Sequence, residues 1–334
     1  MISDESFSER IPVIHIGMPK TATTTLQRHL FAFHSEIYYL GRYEGPLFRK
    51  KHHKFDACRD ATVQALMQEI AYGNVYDPDF ARCKELLSQV LFPAKGKNLL
   101  PVWSWESYAT DILARRRVRA RNLKKVFGKA KIIMTLRNPV ALLESAYFQQ
   151  LKRDNIGAYA KFGKLPYYRS IDRWLDENFT GEIMPHLQYG ETLRIYAEQF
   201  GVGNINVFLF EKLVENSSSF FENLCSTMGI DAEEGLRLVA DCVDNQRWTI
   251  VQLERLKTIA HSKIKSFSFA CNDKKKRKEM LGLDKEGIPF LRGDKARAPI
   301  SAAWREKIYA VTEEGNRRLE QVFNLPLEKY GYFD

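Results

Sequence analysis

Short apolar runs alternate along this chain with stretches whose apolar residues recur at helical spacing. Five runs have the length and make-up of strands: IPVIHIG (11–17), IYYL (37–40), NLLPVW (98–103), KIIMTL (131–136) and INVFLF (205–210). Several are almost continuously apolar, which suits a strand covered on both faces in a parallel sheet. Between them, Leu26, Leu30 and Phe33 stand at i, i+4 and i+7. Leu193, Tyr196, Ala197 and Phe200 line a second stripe, with Gly201 placed to end it. Ser217 is placed to cap a helix carrying Phe220, Phe221, Leu224 and Met228, stopped by Gly229. Ser301 is placed to cap a long last helix with Trp304, Ile308 and Val311 on one face. This alternation predicts an α/β fold with a central, mostly parallel sheet and helices on both faces. Residues 153–185, rich in Tyr, Lys and Gly, read as irregular structure near a site, a candidate lid or acceptor region.

Composition narrows the class. No stretch approaches the roughly 18 consecutive apolar residues of a membrane span, and the polar, acidic MISDESFSER at the start is no signal peptide. A soluble, cytoplasmic protein is expected. Cys58, Cys83, Cys225, Cys242 and Cys271 show no CxxC or Cys/His spacing, so they read as free thiols rather than metal ligands. The net charge of +10 is localised in RRRVRAR (115–121) and KKKRK (274–278). Neither run has aromatic residues interleaved to stack bases, so each reads as a solvated face or an anion-attracting collar before it reads as a nucleic-acid site.

The stretch HIGMPKTATTTLQRHL (15–30) carries the first chemistry. A strand, a short glycine-containing loop and a helix opening in Thr23-Thr24-Thr25 form a geometry for phosphate, because the first N–H groups of the helix are unpaired and its dipole is positive there. A nucleotide triphosphatase loop has the form GxxxxGK[ST]. Counted from Gly17, position six is Ala22 and position seven Thr23, and Lys20 lies mid-loop instead. The strand ending in Asp that would hold magnesium is also missing, since KIIMTL runs into Arg137. The second informative stretch is TLRNPVALLESAYFQQLK (135–152). Arg137 ends a strand, Asn138 and Pro139 suit a helix start, and Ser145 lies about two turns along the same face. Such an arginine and serine can clamp a second phosphate.

Together the two stretches resemble the sulfotransferases that use 3′-phosphoadenosine-5′-phosphosulfate (PAPS). PKTATTTL resembles that family's 5′-phosphosulfate loop, commonly PKxGTT, and RNPVALLESAY resembles its 3′-phosphate motif. The resemblance implies a single P-loop-like three-layer domain over residues 1–334. It implies cofactor contacts from Lys20, Thr21, Ala22, Thr23, Thr24, Thr25, Arg137 and Ser145. Ala22 stands where the family usually has glycine, a change the backbone tolerates if φ there is negative. FLRGDKARAPISAAWREKI (290–308) resembles the family's C-terminal cofactor-closing loop, placed here at 285–300, with Arg292, Lys295 and Arg297 as candidates. The family's usual Arg-Lys-Gly or Lys-Gly-Arg is not reproduced there.

The implied reaction moves a sulfuryl group in line from PAPS to a hydroxyl, less readily an amine, leaving 3′,5′-adenosine bisphosphate and needing no metal. Lys20 would stabilise the leaving group. The acceptor would be a small molecule, sugar or glycolipid, with no specific nucleic acid as partner. An acceptor hydroxyl needs a base, and ligands in open α/β sheets lie beyond the carboxyl ends of the strands. Glu106 in SWESYA and Glu44 after IYYLGRY rank level for that role, ahead of His52 and His53 in KKHHKF; Glu211 reads as structural. Two other classes stay open: a P-loop kinase using ATP and magnesium, and a non-catalytic protein binding anions or nucleic acid.

Overall fold

Five strands form one sheet in the order β2-β3-β1-β4-β5, every neighbouring pair parallel, in the computed structural model of the chain. They are β1 (Val13–Gly17), β2 (Ile37–Gly41), β3 (Leu100–Ser104), β4 (Lys131–Leu136) and β5 (Ile205–Leu209). Each expected apolar run overlaps one of them. The structure describes residues 10–41, 60–72, 79–156, 168–240, 242, 247–261 and 294–333. Glu44, His52, His53, Arg292 and the KKKRK run lie outside these.

The chain packs as two compact units, the first formed by Met1–Asn138, Met184–Asp244 and Thr312–Asp334 and the second by Pro139–Ile183 and Asn245–Val311. The first unit contains the whole sheet. All five residues of β1 and of β3 are buried, as are five of the six in β4, which explains their mostly apolar make-up. On one face, Val13, Val102, Ile133 and Phe208 pack with Leu26, Leu30, Phe31, Phe220, Phe221 and Leu224. On the other, Trp103 meets Phe127 edge-on at 5.4 Å between ring centroids, bringing in the Leu113–Phe127 helix. The Tyr189–Phe200 helix joins that layer through Tyr196, whose hydroxyl donates to the Tyr108 carbonyl at 3.0 Å. From β1 the chain goes to β2 on one side, and from β4 to β5 on the other. The C-terminal ends of β1 and β4 therefore flank the crevice in which open α/β sheets bind ligands.

Local chemistry departs from the sequence reading at several points. The helix after β1 opens as an α-turn, Thr23–Thr25, and continues as a π-helical stretch, Leu26–Phe31. The wider i→i+5 turn moves the buried stripe onto Leu26, Leu30 and Phe31, leaving Phe33 only half-buried. Asn216, not Ser217, caps the Ser217–Met228 helix, its side chain accepting from the Ser219 N–H at 3.0 Å; Gly229 ends that helix in the left-handed region, as expected. The RRRVRAR run is not one solvated face. It lies on the Leu113–Phe127 helix, where Arg115 and Arg117 are exposed while Arg116 and Arg119 are fully buried.

The described residues of the second unit are mainly helical. Pro139–Ile156 is followed, beyond the undescribed 157–167, by Ile171–Asn178, which Ser170 caps through the Arg173 N–H, and a π-helical turn at Phe179–Ile183. Much of the stretch expected to be irregular is thus helix. Tyr147 packs against Trp174 at 5.8 Å, and Phe179 against Trp304 at 5.0 Å. Of the three residues assigned to the buried face of the last helix, Trp304 and Ile308 are buried, whereas Val311 is 44% exposed and Thr312 takes the inward position.

Candidate active site

The loop after β1 is tied down before its helix begins. The Met18 N–H donates to the Thr135 carbonyl at 3.0 Å, and the buried Thr21 hydroxyl donates to the Met18 carbonyl at 2.6 Å. φ is +69° at Lys20 and +64° at Ala22, and not positive at Thr21 between them. Backbone in which left-handed residues alternate with ordinary ones is of the kind that forms anion-binding concavities. Ala22 therefore keeps the glycine-type backbone, contrary to the negative φ under which its methyl would be tolerated. The strain costs about 1 kcal/mol. Its carbonyl accepts from the Leu26 N–H at 3.0 Å and opens the helix.

Glu106 comes to this loop from the end of β3. It begins a short 3₁₀ turn, Glu106–Tyr108, and its Oε2 accepts from the Thr23 hydroxyl at 2.6 Å. The turn is laced to β1: Trp105 N–H donates to the His15 carbonyl at 3.1 Å, and Ala109 N–H to the Ile16 carbonyl at 3.2 Å. Gly17 is required at this crossing. Its φ is +123°, and a Cβ there would lie 3.1 Å from the Glu106 carbonyl oxygen.

Arg137 reaches the loop from the end of β4. Its Nη1 donates to the Lys20 carbonyl at 3.1 Å, and the guanidinium lies over the Phe210 ring at 4.4 Å. The Arg137 carbonyl accepts from the Tyr189 hydroxyl at 2.8 Å. The next residue is held by the chain's far end: Asn138 Nδ2 donates to the Tyr330 carbonyl at 2.9 Å, and its N–H donates to Glu211 Oε1 at 2.8 Å. Glu211 Oε2 accepts from the Tyr332 hydroxyl at 2.9 Å, so the carboxylate links the turn that carries Arg137 to the C-terminal segment.

Beneath the loop lies a polar group that the sequence reading missed. Ser104 Oγ is 2.7 Å from His15 Nδ1 and accepts from Gln27 Nε2 at 3.0 Å. His15 is fully buried, and that burial lowers its pKa from 6.5 to about 3. The signal in the sequence was one polar residue inside VIHIG. The sign of its effect follows: the unfolded chain takes up this proton below about 6.5, and the native protein only near 3. Stability from this group is complete above pH 6.5 and falls as the pH drops, by up to roughly 1.4 kcal/mol per unit. Urea unfolding at pH 7.5 and pH 5 is expected to show the wild type losing about 2 kcal/mol more than His15→Gln over that interval. Equal losses would place the acid-sensitive proton elsewhere.

The remaining candidates lie in the second unit. Ser145 is half-buried on the Pro139–Ile156 helix. Its neighbour Glu144 pairs with Arg247 at 3.1 Å, accepts from the Ala298 N–H at 2.9 Å and lies 3.7 Å from the well-exposed Arg297. Lys295 forms an isolated antiparallel bridge with Thr249. Glu144 thus fastens the 294–298 segment to the helix of Ser145, with Arg247 as a further member that the sequence did not suggest. Among the described residues no group of three or more His, Cys, Asp or Glu is placed to hold a metal, and no helix is long and apolar enough to cross a membrane.

A parallel α/β sheet with an anion-type loop on its central strand, met by an arginine from the next strand, defines the class. A family model described as "Sulfotransferase family" matches residues 12–234, more than half of the chain, and the chain belongs to that family. No curated protein matches it. Among solved structures it is similar to a sulfotransferase from Alicyclobacillus acidocaldarius (18% identity, 77% of this chain and 98% of that one, TM-score 0.43). It is also similar to the sulfotransferase domain of the Synechococcus PCC 7002 olefin synthase (16%, 81% and 96%, TM-score 0.37). A third similarity is to a sulfotransferase domain from the curacin biosynthetic pathway (15%, 72% and 82%, TM-score 0.37).

Proposed function

We propose that this chain is a cytoplasmic sulfotransferase that moves the sulfuryl group of PAPS to a hydroxyl, less readily an amine, of a small-molecule, sugar or glycolipid acceptor. The observation that carries the reading is the hydrogen bond from Arg137 to the Lys20 carbonyl, which joins the two anion motifs at the β1/β4 crevice. The left-handed residues of the loop and the absence of a side chain at Gly17 support a fit to the 5′-phosphosulfate group. By resemblance, Lys20, Thr21, Ala22, Thr23, Thr24 and Thr25 hold that end, and Arg137 and Ser145 hold the 3′-phosphate. Arg292, Lys295 and Arg297 are assigned to the closing loop.

PAPS, when bound, supplies a sulfuryl group and a stable leaving group, 3′,5′-adenosine bisphosphate. Lys20 places a positive charge where negative charge grows as the bond to the 5′-phosphate breaks, an electrostatic contribution made mainly in the transition state. Glu106 takes the acceptor's proton as the acceptor oxygen bonds to sulfur. Thr23, now donating to Glu106, has a single hydroxyl proton. Turning it to the bound anion frees the carboxylate for the acceptor.

Calorimetry with the full chain tests the donor: 3′,5′-adenosine bisphosphate is expected to bind without magnesium and more tightly than ADP. Labelled PAPS offered with a library of hydroxyl and amine compounds then identifies the acceptor by transfer of label. Tighter, magnesium-dependent ADP binding would make the protein a kinase. Bisphosphate binding with no transfer to any member would make it a non-catalytic binder.

A further inference from the structure

Arg119 is one of five arginines in an apparent surface run, yet its side chain is only 1% exposed. Nε donates to the Ala71 carbonyl at 3.1 Å, Nη1 to the carbonyls of Ser107 at 2.6 Å and Thr110 at 2.8 Å, and Nη2 to Asp111 Oδ2 at 3.0 Å. Three of these four acceptors lie in residues 107–111, directly after Glu106. A buried guanidinium is tolerated only when its donors are met, so the cation and the turn hold each other in place. Lysine cannot replace it in kind. Its ammonium is a single point with three donors, whereas the planar fork reaches backbone carbonyls on separate segments at once.

The same turn is gripped on its other sides. Trp103 Nε1 donates to the Tyr108 hydroxyl at 2.7 Å, and the Tyr108 carbonyl accepts from Tyr196. Its leading residue, Glu106, touches the loop at Thr23 and crosses closely over Gly17. We propose that Arg119 is a positioning residue for sulfuryl transfer: from the interior, it fixes the turn that sets the Glu106 carboxylate at the mouth of the anion loop. The inference rests on the reading of Glu106 as the base.

The test is a double-mutant cycle on the full chain with Arg119→Lys, Glu106→Gln and the pair. Turnover is followed with labelled PAPS and the acceptor found in the screen above, and bisphosphate affinity by calorimetry. Arg119→Lys is expected to lower kcat by about 10- to 100-fold while bisphosphate affinity changes by less than about threefold. In the Glu106→Gln background the same change is expected to have almost no further effect, because the group it positions has already lost its function. Losses that multiply, an unchanged kcat in Arg119→Lys, or an affinity loss as large as the kcat loss would each overturn the inference while leaving Glu106 as base. A Glu106→Gln variant with wild-type kcat would overturn the reading beneath it. Should Arg119→Lys fail to fold, Asp111→Asn replaces it, removing the charge at Nη2 but none of the carbonyl acceptors. Its expected loss is about 3- to 10-fold, again absent in the Glu106→Gln background; a loss that persists there overturns the inference.

Discussion

Lys20→Ala is expected to lower kcat about 10³-fold while bisphosphate affinity changes by less than about threefold. Backbone and neighbouring side-chain contacts hold the shape of the loop. The Lys20 carbonyl is fixed by Arg137, Thr21 is fixed on Met18, and the helix opens from the Ala22 carbonyl. Lysine and alanine both carry a Cβ, so the strained φ of +69° at this position costs nearly the same in either form. The substitution therefore removes the charge while leaving these backbone contacts in place. One preorganised group that meets charge developing in the transition state contributes roughly 10²–10³ in rate, and a full positive charge in a partly buried loop belongs at the upper end. Steady-state turnover of labelled PAPS, set against calorimetry with the bisphosphate, separates the two effects. A near-normal kcat would remove the leaving-group role. A fall in affinity matching the fall in kcat would make Lys20 a binding residue of the ground state.

The sheet was legible because its central strands are covered on both faces, so each one leaves a mostly apolar run of the right length. The five runs give five strands, with starts and ends moved by two residues at most. What escaped depends on contacts between distant positions. His15 and Ser104 are 89 residues apart and meet because parallel register places them side by side. No residue type announces the π-helical turn at Leu26–Phe31. Arg116 and Arg119 read as surface charge because periodicity in so basic a helix is masked; the acceptors that draw them inward, carbonyls of residues 71, 107, 110 and 188 with the side chains of Asp111, Gln188 and Thr192, lie in other segments. Ala22 misled in the other direction. An alanine argues for ordinary backbone, but the loop needs a left-handed residue there and bears the strain. For the candidate site, the sequence placed Glu106 at the carboxyl end of a strand. It could not rank Glu106 above Glu44, since nothing in either local stretch records that Glu106 meets Thr23.

That contact is the basis for separating the two carboxylates. Glu106→Gln is expected to lower kcat by roughly 10³-fold, and Glu44→Gln to stay within about threefold of the wild type. Glutamine is nearly isosteric with glutamate, and its amide oxygen can still accept from the Thr23 hydroxyl. The turn, the close crossing at Gly17 and the loop are thus retained, and bisphosphate affinity is expected to hold. What disappears is the lone pair that takes the acceptor's proton. Proton transfer by a positioned base is worth about 10²–10⁴ in rate, and the amide has no means of supplying it. Both variants are to be compared at saturating PAPS and acceptor, so that the difference reports the chemical step rather than binding. A larger loss in Glu44→Gln would move the base to that residue. Equal and mild losses in both would reject the pair and bring His52 and His53 forward, each tested by its own alanine variant under the same conditions.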